Sequence, residues 1–200
     1  MPDELEKHHR RSIRLQGYDY GQTGMYFITV CVEGRECLFS EVVQGKMIAN
    51  QVGRIVEGEW LKTPVLRPYV VLDEFVVMPN HFHAILQIVS EGRGTARRAP
   101  TTERFSRPVS GSLPTIIRSF KSATTNRINE LRSAPGAPLW QRNYYEHVIR
   151  DEDELHRIRE YILTNPLRWE LDRENPARCG EDEFDRWLAS LSPKRGRVKK

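Results

Sequence analysis

Residues 70–89 read VVLDEFVVMPNHFHAILQIV, and this stretch decides the fold. Both of its halves are rich in β-branched and aromatic residues, which is typical of strands. Pro79 and Asn80 stand between the halves, and these residue types favour a turn. We therefore predict two antiparallel strands, over residues 70–78 and 81–89, joined as a hairpin.

The flanking sequence predicts the remaining elements. A strand over residues 25–32 and a helix over 47–61 precede the hairpin, and a helix over 114–132 and a strand over 144–149 follow it. The apolar stripe of the second helix comprises Ile117, Phe120, Thr124, Ile128 and Leu131. This order matches the split βαβ motif. We expect an α+β fold: a ferredoxin-like βαββαβ antiparallel sheet with helices on one face.

A third long helix is expected to begin at Asp151, which can cap it, and to end at Asn165 before Pro166. Its apolar face contains Leu155, Ile158 and Ile162. We predict three parts of the chain: a polar arm over 1–24, a domain over 25–169 and a charged extension over 170–200. A short helix carrying Phe184, Trp187 and Leu188 is expected in the extension, before a basic tail.

The charge of the chain is unevenly distributed. The net charge is +4, but residues 91–150 hold 11 basic and 4 acidic side chains, and the last seven residues hold five basic ones. This asymmetry indicates a polyanionic partner. No apolar run is long enough for a membrane span, and the three cysteines lack metal-type spacing. We expect a cytoplasmic protein with no membrane partner.

His81 and His83 flank Phe82 on the predicted second hairpin strand. Side chains alternate along a strand, so both imidazoles should lie on one face and Phe82 on the other. Two adjacent imidazoles are a natural clamp for a divalent metal. For this short motif alone, two satisfied or solvated histidines are an equally good interpretation.

Tyr161 and Asn165 lie four residues apart and so share one face of the predicted third helix. Tyr161 lies off the apolar stripe, and its position alone favours a tyrosine at the rim of the helix. A tyrosine can also act as a covalent nucleophile. A metal at His81 and His83 could activate a phosphoryl group for such an attack.

Three runs of sequence together resemble a known family. They are VVMPNHFHAILQI, IIRSFKSATTNRIN and LWQRNYYEHVIRDEDELHRIREYILTNPLRW, which include the Y-I-x-x-N-P form of the nucleophile motif. In order and spacing they are similar to the REP-associated tyrosine transposases, which belong to the single-tyrosine HUH transposases. The resemblance covers most of residues 25–169.

The resemblance implies an enzyme that cuts and rejoins single-stranded DNA. Carried over by residue, His81 and His83 hold Mg²⁺ or Mn²⁺, and Tyr161 attacks the scissile phosphate to form a 5′-phosphotyrosine. Asn165 occupies the place where relatives have a third metal ligand, although its shorter amide leaves a water bridge open. The implied partner is single-stranded hairpin DNA, the implied location is the nucleoid, and the protein acts as a monomer or homodimer.

Basic residues between the two halves of this site are expected to bind DNA phosphates. They are Arg97, Arg98, Arg104 and Arg107 in a basic loop over 90–112, and Arg118 and Lys121 in the helix that follows. Two alternatives stay open. One is a domesticated, non-catalytic DNA- or RNA-binding protein. The other is a zinc hydrolase, which is disfavoured because no clear third His, Asp or Cys ligand lies near the histidines in sequence.

Overall fold

The computed structural model describes residues 18–90 and 109–191. Within these residues the strands are β1 (Gly24–Cys31), β2 (Ser40–Val43), β3 (Lys46–Ala49), β4 (Val70–Val77), β5 (His81–Ile88) and β6 (Tyr145–Ile149). The α-helices are α1 (Gln51–Leu61), α2 (Thr63–Leu66), α3 (Leu113–Leu131), α4 (Glu152–Thr164) and α5 (Glu183–Leu191). Two 3-10 helices, Glu33–Arg35 and Asn165–Leu171, complete the set.

Four strands form the central antiparallel sheet, in the spatial order β4-β5-β1-β6. The predicted hairpin is present, because β4 pairs with β5 across the turn at Pro79 and Asn80. β1 lies in the middle and pairs with β5 on one side and β6 on the other. The predicted α+β architecture, with its ferredoxin-like βαββαβ order, is confirmed.

The two faces of the sheet carry separate apolar clusters, because side chains alternate along each strand. On one face, Tyr26, Ile28 and Phe82 pack with residues of α1 and α3, including Trp60 and Phe120. Phe82 therefore faces these two helices, as predicted. On the opposite face, residues of β1 and β5 pack with α4 and α5; this cluster includes Phe27, Ile85, Ile158, Ile162 and Phe184. The third long helix thus covers the side of the sheet that α1 and α3 leave open.

The predicted helix over 47–61 begins too early. Lys46–Ala49 is strand β3, which pairs with β2 through a two-residue turn at Gln44 and Gly45. Both turn residues have positive φ, 50° and 72°, as a tight hairpin turn requires. The helix begins only after Asn50, whose side-chain oxygen accepts hydrogen bonds from the backbone of Val52 and Gly53.

The buried stripe of α3 also lies nearer its start than predicted. Leu131 is 42% exposed, whereas Leu113 and Ile116 are fully buried. The short helix predicted around Phe184 is present as α5, and it packs on the same face of the sheet as α4. None of the helices in residues 18–90 and 109–191 combines the length and apolar character needed to cross a bilayer.

Helix α4 is fixed at its start and along its length. The predicted cap is present: the Asp151 carboxylate accepts a hydrogen bond from the Glu154 backbone nitrogen at 2.8 Å. Further along, Arg159 donates two hydrogen bonds to Asp73, at 2.8 and 2.5 Å. This bidentate pair connects α4 to β4 where the β4–β5 register shifts between Leu72 and Phe75. The helix is therefore held at a defined position over the sheet.

Candidate active site

His81 and His83 project from β5 onto the same face of the sheet, as their spacing predicts. Their Nε2 atoms lie 2.9 Å apart, and both side chains are buried. Burial lowers the pKa of His81, against the opposing charge of Asp172. Burial, with the neighbouring His81, places the pKa of His83 well below its ordinary value. The imidazoles are therefore neutral, which is the form that binds metal ions.

Asn80 fixes the proton on His81. The Asn80 amide nitrogen donates to the backbone carbonyls of Glu174, at 2.7 Å, and Arg35, at 3.1 Å. Its oxygen therefore faces His81 Nδ1, 2.9 Å away. An amide oxygen only accepts, so Nδ1 must carry the hydrogen and Nε2 the lone pair. Asn80 selects the tautomer that leaves Nε2 of His81 ready for a metal.

Thr29 supports His83 in a similar way from the neighbouring strand β1. Its hydroxyl lies 2.9 Å from His83 Nδ1. A hydroxyl can donate or accept, so His83 can place its hydrogen on Nδ1 and free its own Nε2. Such partners behind a metal-binding imidazole fix its orientation.

Asp172 is a site residue that the sequence reasoning missed. It follows the 3-10 helix Asn165–Leu171, and its Oδ2 lies 3.6 Å from His81 Nε2. Its other oxygen accepts a hydrogen bond from the Glu174 backbone nitrogen at 2.7 Å. Asp172 therefore gives the histidines a third acidic partner, although it does not lie near them in sequence. Asp172 stands about 90 residues away in the chain, so only the packing of the 3-10 helix reveals it.

His81, His83 and Asp172 could together hold a metal ion. One ligand atom from each lies within 4.8 Å of the others, and all three side chains are buried. Two imidazole nitrogens and a carboxylate oxygen suit a divalent cation. The Asn165 side-chain oxygen is also buried and has no hydrogen-bond partner within residues 18–90 and 109–191. The donor set fits the expected metal.

Asn165 lies beside this cluster, at the start of the 3-10 helix. It is 1% exposed, and its amide nitrogen donates to Asp172 Oδ2 at 2.9 Å. This bond orients the carboxylate and leaves the amide oxygen of Asn165 unpaired among the described residues. Its direct ligation of a metal stays a prediction.

Tyr161 is buried beside the histidines of its own chain, so the interpretation of a rim tyrosine is wrong. Its hydroxyl lies 3.2 Å from His83 Nε2 and donates to Asp172 Oδ2 at 3.4 Å. Its ring stacks on Phe184 of α5, with centroids 3.7 Å apart, and only 4% of the residue is exposed. Burial, with the charges of Asp172 and Asp185, raises the pKa of Tyr161 well above its usual value. The phenol is therefore protonated in this arrangement.

His147 and the adjacent tyrosines do not belong to the cluster. His147 Nε2 lies 3.0 Å from Glu154 Oε1, so this histidine connects β6 to the start of α4. Tyr144 packs on the face of α1 and α3, whereas Tyr145 packs on the face of α4. His156 is exposed on α4. These placements agree with structural roles for His147 and Tyr144.

Comparison with known proteins shows what the chain is similar to. No model of a known protein family matches the chain. An uncharacterized protein of Haemophilus influenzae is 40% identical over 169 residues, which cover 83% of this chain and 93% of that protein. A second protein of that organism, described as "Putative REP-associated tyrosine transposase", is 25% identical over 151 residues, 75% of this chain and 74% of its own length. The resemblance to the REP-associated tyrosine transposases that the sequence motifs indicate is therefore confirmed.

A solved structure has a similar description. It is described as a REP-associated tyrosine transposase bound to a REP hairpin. The match covers 80% of this chain and 72% of the chain in that structure. Its TM-score is 0.49 and its sequence identity is 20%. The similarity of this chain to the putative REP-associated tyrosine transposase supports a transposase or DNA-binding role.

The two predicted DNA-binding residues that the structure describes, Arg118 and Lys121, lie on α3, apart from the cluster. Arg118 is exposed on α3, which covers the opposite face of the sheet. Lys121 donates to the backbone carbonyls of Gln141 and Arg142, and burial lowers its pKa to about 8. Their contact with DNA stays a prediction. Arg97, Arg98, Arg104 and Arg107 lie outside the described residues.

Proposed function

We propose that this chain cuts and rejoins single-stranded, hairpin-forming DNA through a 5′-phosphotyrosine on Tyr161, with Mg²⁺ or Mn²⁺ as cofactor. One observation carries the proposal: the Tyr161 hydroxyl lies 3.2 Å from His83 Nε2 and 3.4 Å from Asp172 Oδ2. A nucleophile and a metal-ligand set within hydrogen-bond distance are what metal-assisted phosphoryl transfer requires.

The residues of the cluster have distinct roles in this proposal. His81, His83 and Asp172 would hold the cation, and Asn80, Thr29 and Asn165 orient these three side chains. A divalent cation bound there would supply Lewis-acid polarisation of a phosphoryl oxygen. Tyr161 is held against Asp172 by its hydrogen bond, and Phe184 shields it from water. Asn165, with its unpaired amide oxygen, is a further candidate ligand.

The proposed reaction exchanges one phosphodiester for another. The Tyr161 oxygen forms a bond to phosphorus while the bond from phosphorus to the 3′ oxygen breaks. The leaving 3′ oxygen keeps the electron pair of the broken bond, and overall the phenol proton ends on the resulting 3′-hydroxyl. Attack of a 3′-hydroxyl on the phosphotyrosine reverses these steps and reseals the strand, so no nucleotide cofactor is consumed.

A covalent-adduct assay tests this function. We expect the full-length chain with Mg²⁺ to form a denaturation-resistant adduct with members of a panel of hairpin-forming single-stranded oligonucleotides. Tyr161→Phe should abolish the adduct, because it removes the attacking oxygen. Tyr144→Phe is the matched control, since Tyr144 packs on the other face of the sheet, and it should leave the adduct unchanged.

Three outcomes would contradict specific parts of the proposal. An adduct formed by Tyr161→Phe would show that another residue is the nucleophile. Normal cleavage by His81→Ala would show that cleavage does not require a metal ion held by the histidine pair. Cleavage that survives every tyrosine substitution and depends on zinc would favour the hydrolase alternative.

Two features of Tyr161 favour a second candidate function, a non-catalytic DNA- or RNA-binding protein. Tyr161 is only 4% exposed and its pKa is raised, and both features oppose attack by the phenol. This alternative expects salt-dependent binding of single-stranded nucleic acid without an adduct under any divalent metal. The adduct assay therefore separates the two functions.

A further inference from the structure

Arg173 follows Asp172 directly, and its side chain lies on the same face of the sheet as His83 and Tyr161. Its guanidinium carbon is 5.3 Å from the ring centroid of Tyr145 on β6. Tyr145 pairs across the sheet with Thr29, whose hydroxyl contacts His83. Arg173 is therefore one strand away from the histidine pair.

The guanidinium group of Arg173 is held in place by its Nε nitrogen, but not all of its hydrogen-bond donors have a partner among the described residues. Its Nε donates to Glu174 Oε1 at 3.2 Å and lies 3.8 Å from Asp185 Oδ1. Its two Nη nitrogens donate no hydrogen bond to any residue in 18–90 or 109–191. The side chain is 34% exposed, whereas Tyr161 and the three metal-ligand candidates are almost completely buried. Arg173 therefore has two donor nitrogens without a partner among the described residues, on a partly exposed side chain beside a buried site.

The neighbouring arginines Arg168 and Arg35 already bind other groups of the chain. Arg168 pairs with Asp182. Arg35 contacts Glu174 at 3.3 Å and the Arg173 carbonyl at 3.4 Å. The acidic residues around the site, Asp172, Glu174, Asp182 and Asp185, would repel an approaching phosphate. An anionic substrate therefore needs a cation on this side in addition to the metal.

We propose that Arg173 binds the two non-bridging oxygens of the scissile phosphate through its Nη nitrogens. Tyr145 and Glu174 hold the guanidinium plane, and its remaining donors match two oxygens of one phosphate. Because the transferring phosphoryl group is anionic throughout the displacement, a fixed guanidinium stabilises it. This inference rests on the proposed function for its substrate, a single-stranded DNA.

DNA binding tests the contact without requiring chemistry. Affinity of the full-length chain for a fluorescent hairpin-forming single-stranded oligonucleotide would be measured at several salt concentrations. Losing one phosphate contact on a single strand should lower the slope of log affinity against log salt by about 0.7. We expect this decrease in Arg173→Gln. Arg127→Gln, which removes an ion-paired arginine on α3, should retain the wild-type slope.

Cleavage of modified DNA tests the same contact at the reacting phosphate. We expect Arg173→Gln to slow adduct formation about 100-fold on ordinary DNA. On DNA with a neutral methylphosphonate at the cleavage position, the wild type and the variant should react at nearly equal rates. A purely structural role would leave the 100-fold ratio in place. Arg173→Lys keeps the positive charge but lacks the planar guanidinium group. Its rate on ordinary DNA should therefore lie between the rates of the wild type and Arg173→Gln.

Failures of the two proposals are distinguishable. If the wild type binds the oligonucleotide and Arg173→Gln lowers the slope, but no adduct forms, then the chemistry assigned to Tyr161 fails and the Arg173 contact stands. If the wild type forms the adduct and Arg173→Gln retains both the slope and the rate, the Arg173 inference is overturned. Equal melting temperatures of the variants and the wild type exclude misfolding as the cause of any loss.

Discussion

The side-chain amide of Asn80 orients one ligand of the candidate metal site. Asn80 bonds with two carbonyls on one side and with His81 on the other. It is 1% exposed, so water cannot replace these bonds without a rearrangement. The turn residue of the β4–β5 hairpin therefore also controls a ligand of the candidate metal site.

Replacing this amide should weaken metal binding. We expect Asn80→Ala to reduce Mn²⁺ affinity about 10- to 100-fold, because loss of a partner behind an imidazole ligand typically has this effect. Titration calorimetry of the full-length chain measures it. Asn126→Ala, at an exposed position on α3, is the control. Identical affinities of Asn80→Ala and the wild type would contradict the role given to Asn80.

The residues that sequence reasoning found are those whose positions follow from local geometry. Alternation along β5 predicts that His81 and His83 share a face, and the Y-I-x-x-N-P motif marks Tyr161. Asp172 has no such signal, because it reaches His81 only through the path of a 3-10 helix. The burial of Tyr161 was missed for a related reason: its cover, Phe184, comes from another helix.

Helix α5 covers the proposed nucleophile. Its Phe184 stacks on Tyr161 and contacts the ring of Phe27 on β1. Periodicity predicts this helix, but only the tertiary packing shows that it covers the proposed nucleophile. The β2–β3 hairpin was missed because each strand has only four residues, too few for a reliable alternation.

Removal of the Phe184 ring should destabilise the fold. Phe184 is 3% exposed, and truncating a buried phenylalanine to alanine typically costs about 3–5 kcal/mol. We expect that loss in the free energy of unfolding of Phe184→Ala, measured by urea denaturation. Leu163→Ala, at a position that is 62% exposed, should change the value by less than about 0.5 kcal/mol. A similar small change in Phe184→Ala would mean that α5 is not docked on the sheet.

At the scale of the whole molecule, the candidate metal site joins distant parts of the chain. His81 and His83 come from the middle of the sheet, and Asp172 comes from the segment after α4. A cation bound by all three would connect these parts in the folded state only. Metal binding should therefore act on global stability as well as on activity.

Metal addition should raise the melting temperature. At a Mn²⁺ concentration about 100 times the dissociation constant, binding adds about 2.7 kcal/mol to the free energy of unfolding. For a chain of this size that corresponds to a rise of roughly 5–10 °C, measured by calorimetry and reversed by a chelator. His81→Ala should show little of this rise. An equal rise in the variant would place the bound ion elsewhere.

The enclosure of Tyr161 has a consequence for the lifetime of the proposed covalent state. A phosphotyrosine formed beneath Phe184 would be kept from bulk water, so hydrolysis, which would end the reaction with a broken strand, would be slow. The energy of the original phosphodiester would then stay in the protein–DNA bond until a 3′-hydroxyl arrives. The ring that hides the tyrosine would in this way favour strand transfer over simple nicking.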